Sequence, residues 1–240
     1  VLSYKSSFIY YFFSIQRWML FLCANLERKW GTSIMYKEKK NYENLQKMIF
    51  DGVGQYQIPE IQPTSYKECD FIPFNYAKSC KNRESKGIHF FIDDYQFNRL
   101  WNAPDRYINM LLDFTHVMSP DFSTYTDFPK AMQIYNHYRK HWMGAYLQMY
   151  GIDVIPTISW SDRESFEWCF DGEPVGGTVA ISSVGCMNSK QRRDLFIQGY
   201  QEMMDRLNPT TIIFYGKVPD ECNGNIVSIK AYQEKYKEMR

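Results

Sequence analysis

Five short apolar runs recur along the chain, and stretches of helical periodicity separate most of them. The runs are IHFFI at 88–92, HVM at 116–118, IDVIPTIS at 152–159, GTVAIS at 177–182 and TTIIFY at 210–215. Strands that are covered on both faces of a parallel sheet are hydrophobic throughout and do not alternate. The pattern therefore predicts an α/β fold with five parallel strands, and a sixth around 71–76.

Helices are predicted where apolar residues recur at helical spacing, over 42–50, 104–114, 128–150, 162–169 and 188–207. The longest begins after Asp127 and Pro129 and stops at Gly151, while Ser161 and Glu164 have the spacing of a capping box. No glycine-rich dinucleotide turn follows the first strand, which favours barrel-like order. Eight strands are needed for a closed barrel, so the expected form is an incomplete barrel-like or doubly wound sheet with mostly parallel strands.

The chain divides into three predicted parts: a leader over 1–34, a helix and irregular segment over 35–86, and an α/β domain over 87–240. An apolar stretch at 8–24 is interrupted by Gln16 and Arg17, where a spanning helix would place a charge at the bilayer centre. No signal-peptide cleavage site follows it. We interpret 1–34 as a non-native leader or an over-extended gene start. A membrane or interface anchor and a true first helix are the alternatives.

Composition excludes several classes of protein. The 28 basic and 27 acidic residues give a net charge of +1, so no global attraction to nucleic acid or to an acidic membrane is expected. The 18% aromatic share indicates either aromatic packing or a stacking surface. The six cysteines include no C-x-x-C pair, which predicts reduced thiols in a cytoplasmic protein.

The candidate site follows from the strand ends, because ligands of parallel α/β folds bind beyond the carboxyl ends of the strands. Carboxylates that converge there from different strands can hold a divalent cation or act as acid and base. The predicted catalytic residues are Asp93, Asp94 and Asp121. The predicted substrate-binding residues are Ser123, Ser159, Trp160, Asp162, Ser182 and Tyr215.

Helix capping is the alternative explanation of these acidic residues. Asp94, Asp121 and Asp162 each stand where a side-chain oxygen can accept from free backbone N–H groups, which contributes about 1 kcal/mol. Asp93 is harder to explain in this way, because two adjacent acids after a buried strand exceed what one cap requires. Ser161 is interpreted as a cap alone.

Two other groups of residues are candidates for binding sites. His137 and His141 are four residues apart on the longest predicted helix, but the segment lacks the glutamate that follows the first histidine of zinc-protease helices. An exposed polar face is therefore favoured there over a metal site. Lys190, Arg192 and Arg193 open the next helix, where a solvated helix start is favoured over an anion site.

Four segments carry a resemblance to a known family. They are FFIDDYQFNRLWNAPDRY, SPDFSTYTDFPKAMQIYN, GIDVIPTISWSDRESFEWCFDG and the last predicted strand with its Tyr-Gly pair. Over about 86–217, the chain resembles the domain-of-unknown-function family numbered 4417, which occurs in bacteria, phages and mobile elements. The resemblance implies a cytoplasmic setting. It implies no catalytic residues, because the family has none assigned.

Two main hypotheses for function follow from the predicted site. The first is a hydrolase or transferase that uses the carboxylates at the strand ends, where a divalent cation could serve as cofactor. The second is a non-catalytic module that binds a nucleotide, another small molecule or a regulatory partner at the same place. Attachment to a membrane through 8–24 is the least favoured.

Overall fold

A computed structural model describes residues 47–231 and contains nine strands. β1 (Gly52–Val53) and β2 (Ile58–Pro59) form an antiparallel hairpin. The other seven strands are parallel to their neighbours and follow one another in chain order. They are β3 (Asp70–Pro73), β4 (Lys86–His89), β5 (His116–Met118), β6 (Val154–Ile155), β7 (Thr178–Ser182), β8 (Thr211–Tyr215) and β9 (Ile226–Ile229).

Two hydrogen bonds join the sheet of β3 to β6 to the sheet of β7 to β9. The Ala180 N–H donates to the Pro156 carbonyl at 2.8 Å, and the Ile158 N–H donates to the Ala180 carbonyl at 2.8 Å. They flank a parallel bridge between Thr157 and Ala180. The seven strands therefore form one continuous parallel array, and the predicted α/β class is confirmed.

The array curves strongly. β4 and β8 are four strand spacings apart, which would be about 19 Å in a flat sheet at about 4.8 Å per strand. Instead, the rings of His89 and Tyr215, one from each strand, have centroids only 5.0 Å apart. No pairing joins β3 to β9 in the described part of the chain. The fold is thus an incomplete barrel.

Helices connect most of the parallel strands. α1 (Asp94–Asn102) and α2 (Asp105–Leu111) connect β4 to β5, α3 (Lys130–Met149) connects β5 to β6, and α4 (Lys190–Leu207) connects β7 to β8. Short 3-10 helices lie at Phe74–Ser79, Arg83–Ser85 and Glu164–Glu167. Among residues 47–231, no helix is long and apolar enough to cross a membrane. The five cysteines in this range are all free thiols.

Aromatic rings account for much of the first hydrophobic core, which lies around β3 to β6. Phe90 contacts Phe74 at 5.0 Å between centroids and Phe97 at 5.5 Å, and Phe97 contacts Phe122 at 5.1 Å. These four side chains are almost fully buried. The high aromatic content therefore includes deep packing, in which edge-to-face contacts add to the burial of apolar area.

A second core lies between α4 and the strands β7 and β8. Phe196 of α4 contacts Phe214 of β8 and also Trp160, whose ring centroid is 5.4 Å away. The Trp160 indole approaches the α4 backbone at Gly199, where a Cβ atom would lie only 2.1 Å from Trp160 Cε2. The absence of a side chain at Gly199 is what allows this contact.

Several predicted elements differ from the structure. The predicted strands end earlier, at His89 and Ile155 in place of Ile92 and Ser159, and α1 and β9 were not predicted. The predicted helix over 162–169 is one 3-10 turn, Glu164–Glu167. Of the predicted helix over 42–50, residues 42–46 lie outside the described residues and 47–50 are not helical. The predicted leader 1–34 also lies outside them.

Replacing Gly199 by alanine tests the Trp160 contact. Alanine favours a helix over glycine by about 1 kcal/mol, so helix propensity alone predicts a gain in stability. We expect a loss of about 1–3 kcal/mol in unfolding free energy, because the new methyl group overlaps the indole. Urea unfolding measures it, and Gln191→Ala on the exposed side of α4 should stay within about 0.5 kcal/mol of the wild type. A stabilised Gly199→Ala protein would contradict the packing.

Candidate functional site

A cavity of about 590 Å³ lies at the carboxyl ends of the parallel strands. All seven strands contribute to its wall, each through a residue at its end or a few positions later. These residues are Pro73, His89, Asp121, Ser159, Ser182, Tyr215 and Ala231. The volume is in the range of small-molecule sites, and the position is the one that parallel α/β folds use for ligands.

Aromatic rings form much of the cavity wall. Phe91 stacks on Tyr215 with centroids 5.0 Å apart, and His89 packs against both rings. Trp160 forms another part of the wall and is held from behind by Phe196 and by the α4 backbone at Gly199. These rings are braced by the fold, so they offer rigid apolar faces to a ligand.

Asp121 is the carboxyl group in the wall whose chemistry is most altered. Its pKa is raised to about 7, chiefly by burial; the positive charge of Lys140 lowers the pKa, and the neighbouring charge of Asp94 raises it. In the described part of the chain, no side chain or backbone group donates a hydrogen bond to its carboxylate. Asp121 can therefore both bind and release a proton near neutral pH.

Asp94 holds the loop that carries Asp121. Its carboxylate accepts hydrogen bonds from the Ser123 backbone N–H at 3.1 Å and from the Ser123 hydroxyl at 2.8 Å. Asp94 is the first residue of α1, so these bonds connect the helix after β4 to the loop after β5. Ser123 lies in the cavity wall, but its hydroxyl proton is already engaged.

Asp93 lies in the wall near the solvent and is exposed. The Gln96 side-chain amide donates to Asp93 at 3.4 Å and accepts from the Asn75 amide at 3.0 Å. Asp93 is thus part of a polar rim of the cavity. It is adjacent to Asp94 in sequence, but its exposed surroundings differ from those of Asp121.

The remaining predicted residues divide between the cavity and its outside. Ser159 and Ser182 lie in the wall, and the Ser182 hydroxyl oxygen accepts from the Val184 N–H at 3.2 Å. Asp162 lies outside the cavity, where its carboxylate accepts from the Ser165 N–H at 2.8 Å and caps the 3-10 turn. Capping therefore explains Asp162. Ser161 is not that cap, because it is buried and its hydroxyl donates to Gln133.

The histidine pair of α3 and the basic residues at the start of α4 both lie away from the strand ends. His137 and His141 are buried, so the predicted exposed polar face is wrong, and burial lowers the pKa of both imidazoles. Lys190 and Arg192 are exposed at the start of α4, and Arg193 pairs with Glu221 at 2.6 Å. None of the three basic residues lines the cavity.

Sequence reasoning missed His89, Phe91 and Tyr76, all of which line the cavity. His89 and Phe91 were hidden inside the run 88–92, which was interpreted as strand throughout. His89 itself was the available signal, because it is a polar residue inside an apolar run. Phe91 is two residues later, and side chains two apart point to the same side of an extended segment. Tyr76 follows β3 in the 3-10 helix Phe74–Ser79, and no pattern distinguished it.

Comparisons with known proteins identify the family of this chain and two phage relatives. The model of a family described as a domain of unknown function (DUF4417) matches residues 50–233, and the chain belongs to that family. The Gene 1 protein of Mycobacterium phage L5 is 37% identical over 188 residues, covering 78% of this chain and 82% of that protein. The Gene 1 protein of Mycobacterium phage D29 is 37% identical over the same length, covering 70% of that protein. No solved structure matches the chain.

The raised pKa of Asp121 predicts a pH-dependent stability. Between pH 3.8, the ordinary value, and about 7, the folded protein keeps a proton on Asp121 that the unfolded chain has lost. The unfolding free energy should therefore fall as the pH rises through this window, by at most about 1.4 kcal/mol per pH unit. Asp121→Asn removes this contribution. Urea unfolding of both proteins at pH 5 and pH 8 measures it, and parallel pH dependences would show that Asp121 is not perturbed.

Proposed function

We propose that this protein is an enzyme of the hydrolase or transferase type whose active site is the cavity at the strand ends. The observation that carries the proposal is the position of Asp121. Its carboxyl group lies in the cavity wall, has no hydrogen-bond donor in the described part of the chain, and has a pKa of about 7. A structural carboxylate is normally paired, so an unpaired one facing a cavity supports a role in proton transfer.

Asp121 would act as the general acid–base. As the carboxylate, it takes the proton of a water molecule or substrate hydroxyl as that oxygen attacks, and it then returns the proton to the leaving group. Asp94 is a positioning residue, because it binds Ser123 two residues beyond Asp121. Ser159 and Ser182 are available to bind polar atoms of the substrate.

The side chains that line the cavity favour a substrate that contains a planar organic group. Trp160, Phe91 and Tyr215 offer ring faces to such a group. Asp93 and Asp121 face the same space, and Asp94 adds a negative charge nearby. Carboxylates repel a bare phosphate, so a neutral or cationic small molecule suits the cavity better unless a divalent cation bridges the charges.

A non-catalytic module that binds a nucleoside or nucleotide is the second candidate. The aromatic walls favour it, because base stacking on such rings contributes about 1–3 kcal/mol per base. In that case, Asp121 would bind an amino group of the base and transfer no proton.

The experiment that separates these functions uses a small-molecule panel of nucleosides, nucleotides, amines and esters, each with and without Mg²⁺. Thermal shift identifies binders, and mass spectrometry then detects product. If the protein is an enzyme, its turnover should rise as the pH increases, with an apparent pKa near 7. Asp121→Asn should lower the turnover by about 10²–10⁴-fold.

Asp127→Asn is the matched control, since Asp127 is exposed and does not line the cavity. It should leave turnover unchanged. A ligand that binds the wild type and binds Asp121→Asn more weakly, with no product from either, would support the binding module and contradict the enzyme.

We further propose that the protein works in a reducing compartment such as the cytoplasm, because all five cysteines in the described range are free thiols. Quantifying thiols in protein denatured directly from cells tests this proposal, and oxidised cysteines would contradict it.

A further inference from the structure

A second cluster of reactive side chains lies outside the cavity wall, between α3 and the segment that follows the 3-10 helix Glu164–Glu167. It consists of His137, His141 and Glu173, all buried. Each offers one ligand atom, and these atoms lie within 4.8 Å of one another. The spacing of four residues places both imidazoles on one face of α3, and Glu173 meets that face from another part of the chain.

The hydrogen bonds of His141 determine which of its nitrogens carries a proton. Nδ1 lies 2.9 Å from the Pro59 carbonyl oxygen, which can only accept, so Nδ1 must be the N–H donor. In the neutral imidazole, Nε2 then has a lone pair. That lone pair faces Glu173 Oε1 at 2.9 Å, which is also an acceptor. Two acceptors so close together require a cation or a proton between them.

His137 repeats this arrangement. Its Nε2 lies 3.1 Å from the Asp171 carbonyl oxygen and must donate to it, which leaves Nδ1 of the neutral ring as a lone pair. Histidines that ligate metals usually donate their other ring N–H to a carbonyl or carboxylate in this way, which sets the tautomer and the ring orientation. Both imidazoles therefore already have the supporting contacts of metal ligands.

Glu173 supplies an anionic oxygen to the cluster. Its Oε1 atom is 2.6 Å from the Lys140 ammonium, which also donates to the Thr157 carbonyl at 2.7 Å. Its Oε2 atom is buried and has no hydrogen-bond partner among the described residues. A buried carboxylate oxygen without a donor is costly, so the arrangement is incomplete as the protein alone supplies it.

A doubly protonated His141 is the competing explanation of the short contact. It would place a second buried cation beside Lys140 on a single carboxylate, and it would still leave Glu173 Oε2 without a donor. A metal ion bound by one nitrogen of each imidazole and by the Glu173 carboxylate would supply the cation that the contact of His141 Nε2 with Oε1 requires, and it would give Oε2 a partner, while Lys140 keeps its hydrogen bond to Oε1.

We propose that His137, His141 and Glu173 bind a divalent transition metal, with zinc as the ion that suits two imidazoles and one carboxylate best. The site would join three parts of the fold: the hairpin through Pro59, α3 through both histidines, and the segment 171–173. All three side chains are buried and none lines the cavity, so the proposed role of the ion is to hold these three parts of the fold together. Three protein ligands leave a tetrahedral ion one position for water.

The test measures metal in the full chain, purified without a polyhistidine tag. After incubation with Zn²⁺ and dialysis, elemental analysis should find one equivalent of zinc. Removal by a chelator should lower Tm by about 5 °C or more, and Zn²⁺ should restore it. Cobalt substitution should give the visible absorption of a tetrahedral nitrogen and oxygen site. His141→Asn and Glu173→Gln should each retain less than about one tenth of the metal.

His116→Gln is the matched control, because it also removes a buried imidazole but lies outside the cluster. It should keep one equivalent of zinc. If the cluster variants do not fold, the wild-type protein still decides the question. Failure of the wild type to retain Zn²⁺ or Co²⁺ after dialysis, together with a Tm that neither metal nor chelator changes, would overturn the site. Loss of metal from His116→Gln as well would also overturn the assignment of ligands.

Discussion

The junction between Pro156, Ile158 and Ala180 is the interaction on which the rest of the molecule depends. Two backbone hydrogen bonds there turn two short sheets into one parallel array. Since every strand in the array runs the same way, all seven carboxyl ends open towards the same side. The curvature then brings β4 and β8 together across the interior, as the contact of His89 with Tyr215 shows. Without this junction, the residues that line the cavity would belong to two separate surfaces.

The electrostatics of the cavity depend on the acidic side chains of Asp121 and Asp94 and on the basic side chain of Lys140. Asp121 is surrounded by protein that disfavours its ionised form, and the Asp94 charge acts in the same direction. Lys140, a buried residue of α3, partly offsets both effects. Lys140 also binds Glu173, so one ammonium group connects the cavity with the buried histidine cluster. Any cation that changes the position of Lys140 would therefore also change the acidity of Asp121.

Much of the fold could be predicted because buried parallel strands leave a strong local signal. TTIIFY and GTVAIS are apolar at nearly every position, and both strands were found within one residue of their true bounds. β9 was missed because Ile226–Ile229 is only partly buried and includes an exposed Ser228, so its pattern resembles that of a loop. The hairpin was missed because strands of two residues have no period. The junction at Thr157 depends on tertiary contacts alone.

The residues of the candidate site could be predicted where strand order determines their position. They could not be predicted where burial determines it. Asp121, Ser159, Ser182 and Tyr215 line the cavity because strand order alone brings the strand ends together, while their roles in catalysis and binding stay predictions. Asp121 and Asp162 each stand three residues after a predicted strand, yet Asp162 caps a turn and Asp121 lines the cavity, a difference that only the packing decides. The pair His137 and His141 was misjudged for the same reason, since one helix face can be exposed or buried with the same sequence.

The gap between β3 and β9 has a consequence for how this architecture can diversify. A closed barrel has a girth set by its ring of backbone hydrogen bonds, and side-chain changes barely alter it. Here no backbone pairing joins β3 to β9 among the described residues, and β9 packs against the first core through the side chains of Val227 and Ile229. Bulkier or smaller residues at these two positions would widen or narrow the interior by small steps, so homologues could accommodate molecules of different size while keeping the same strand-end chemistry.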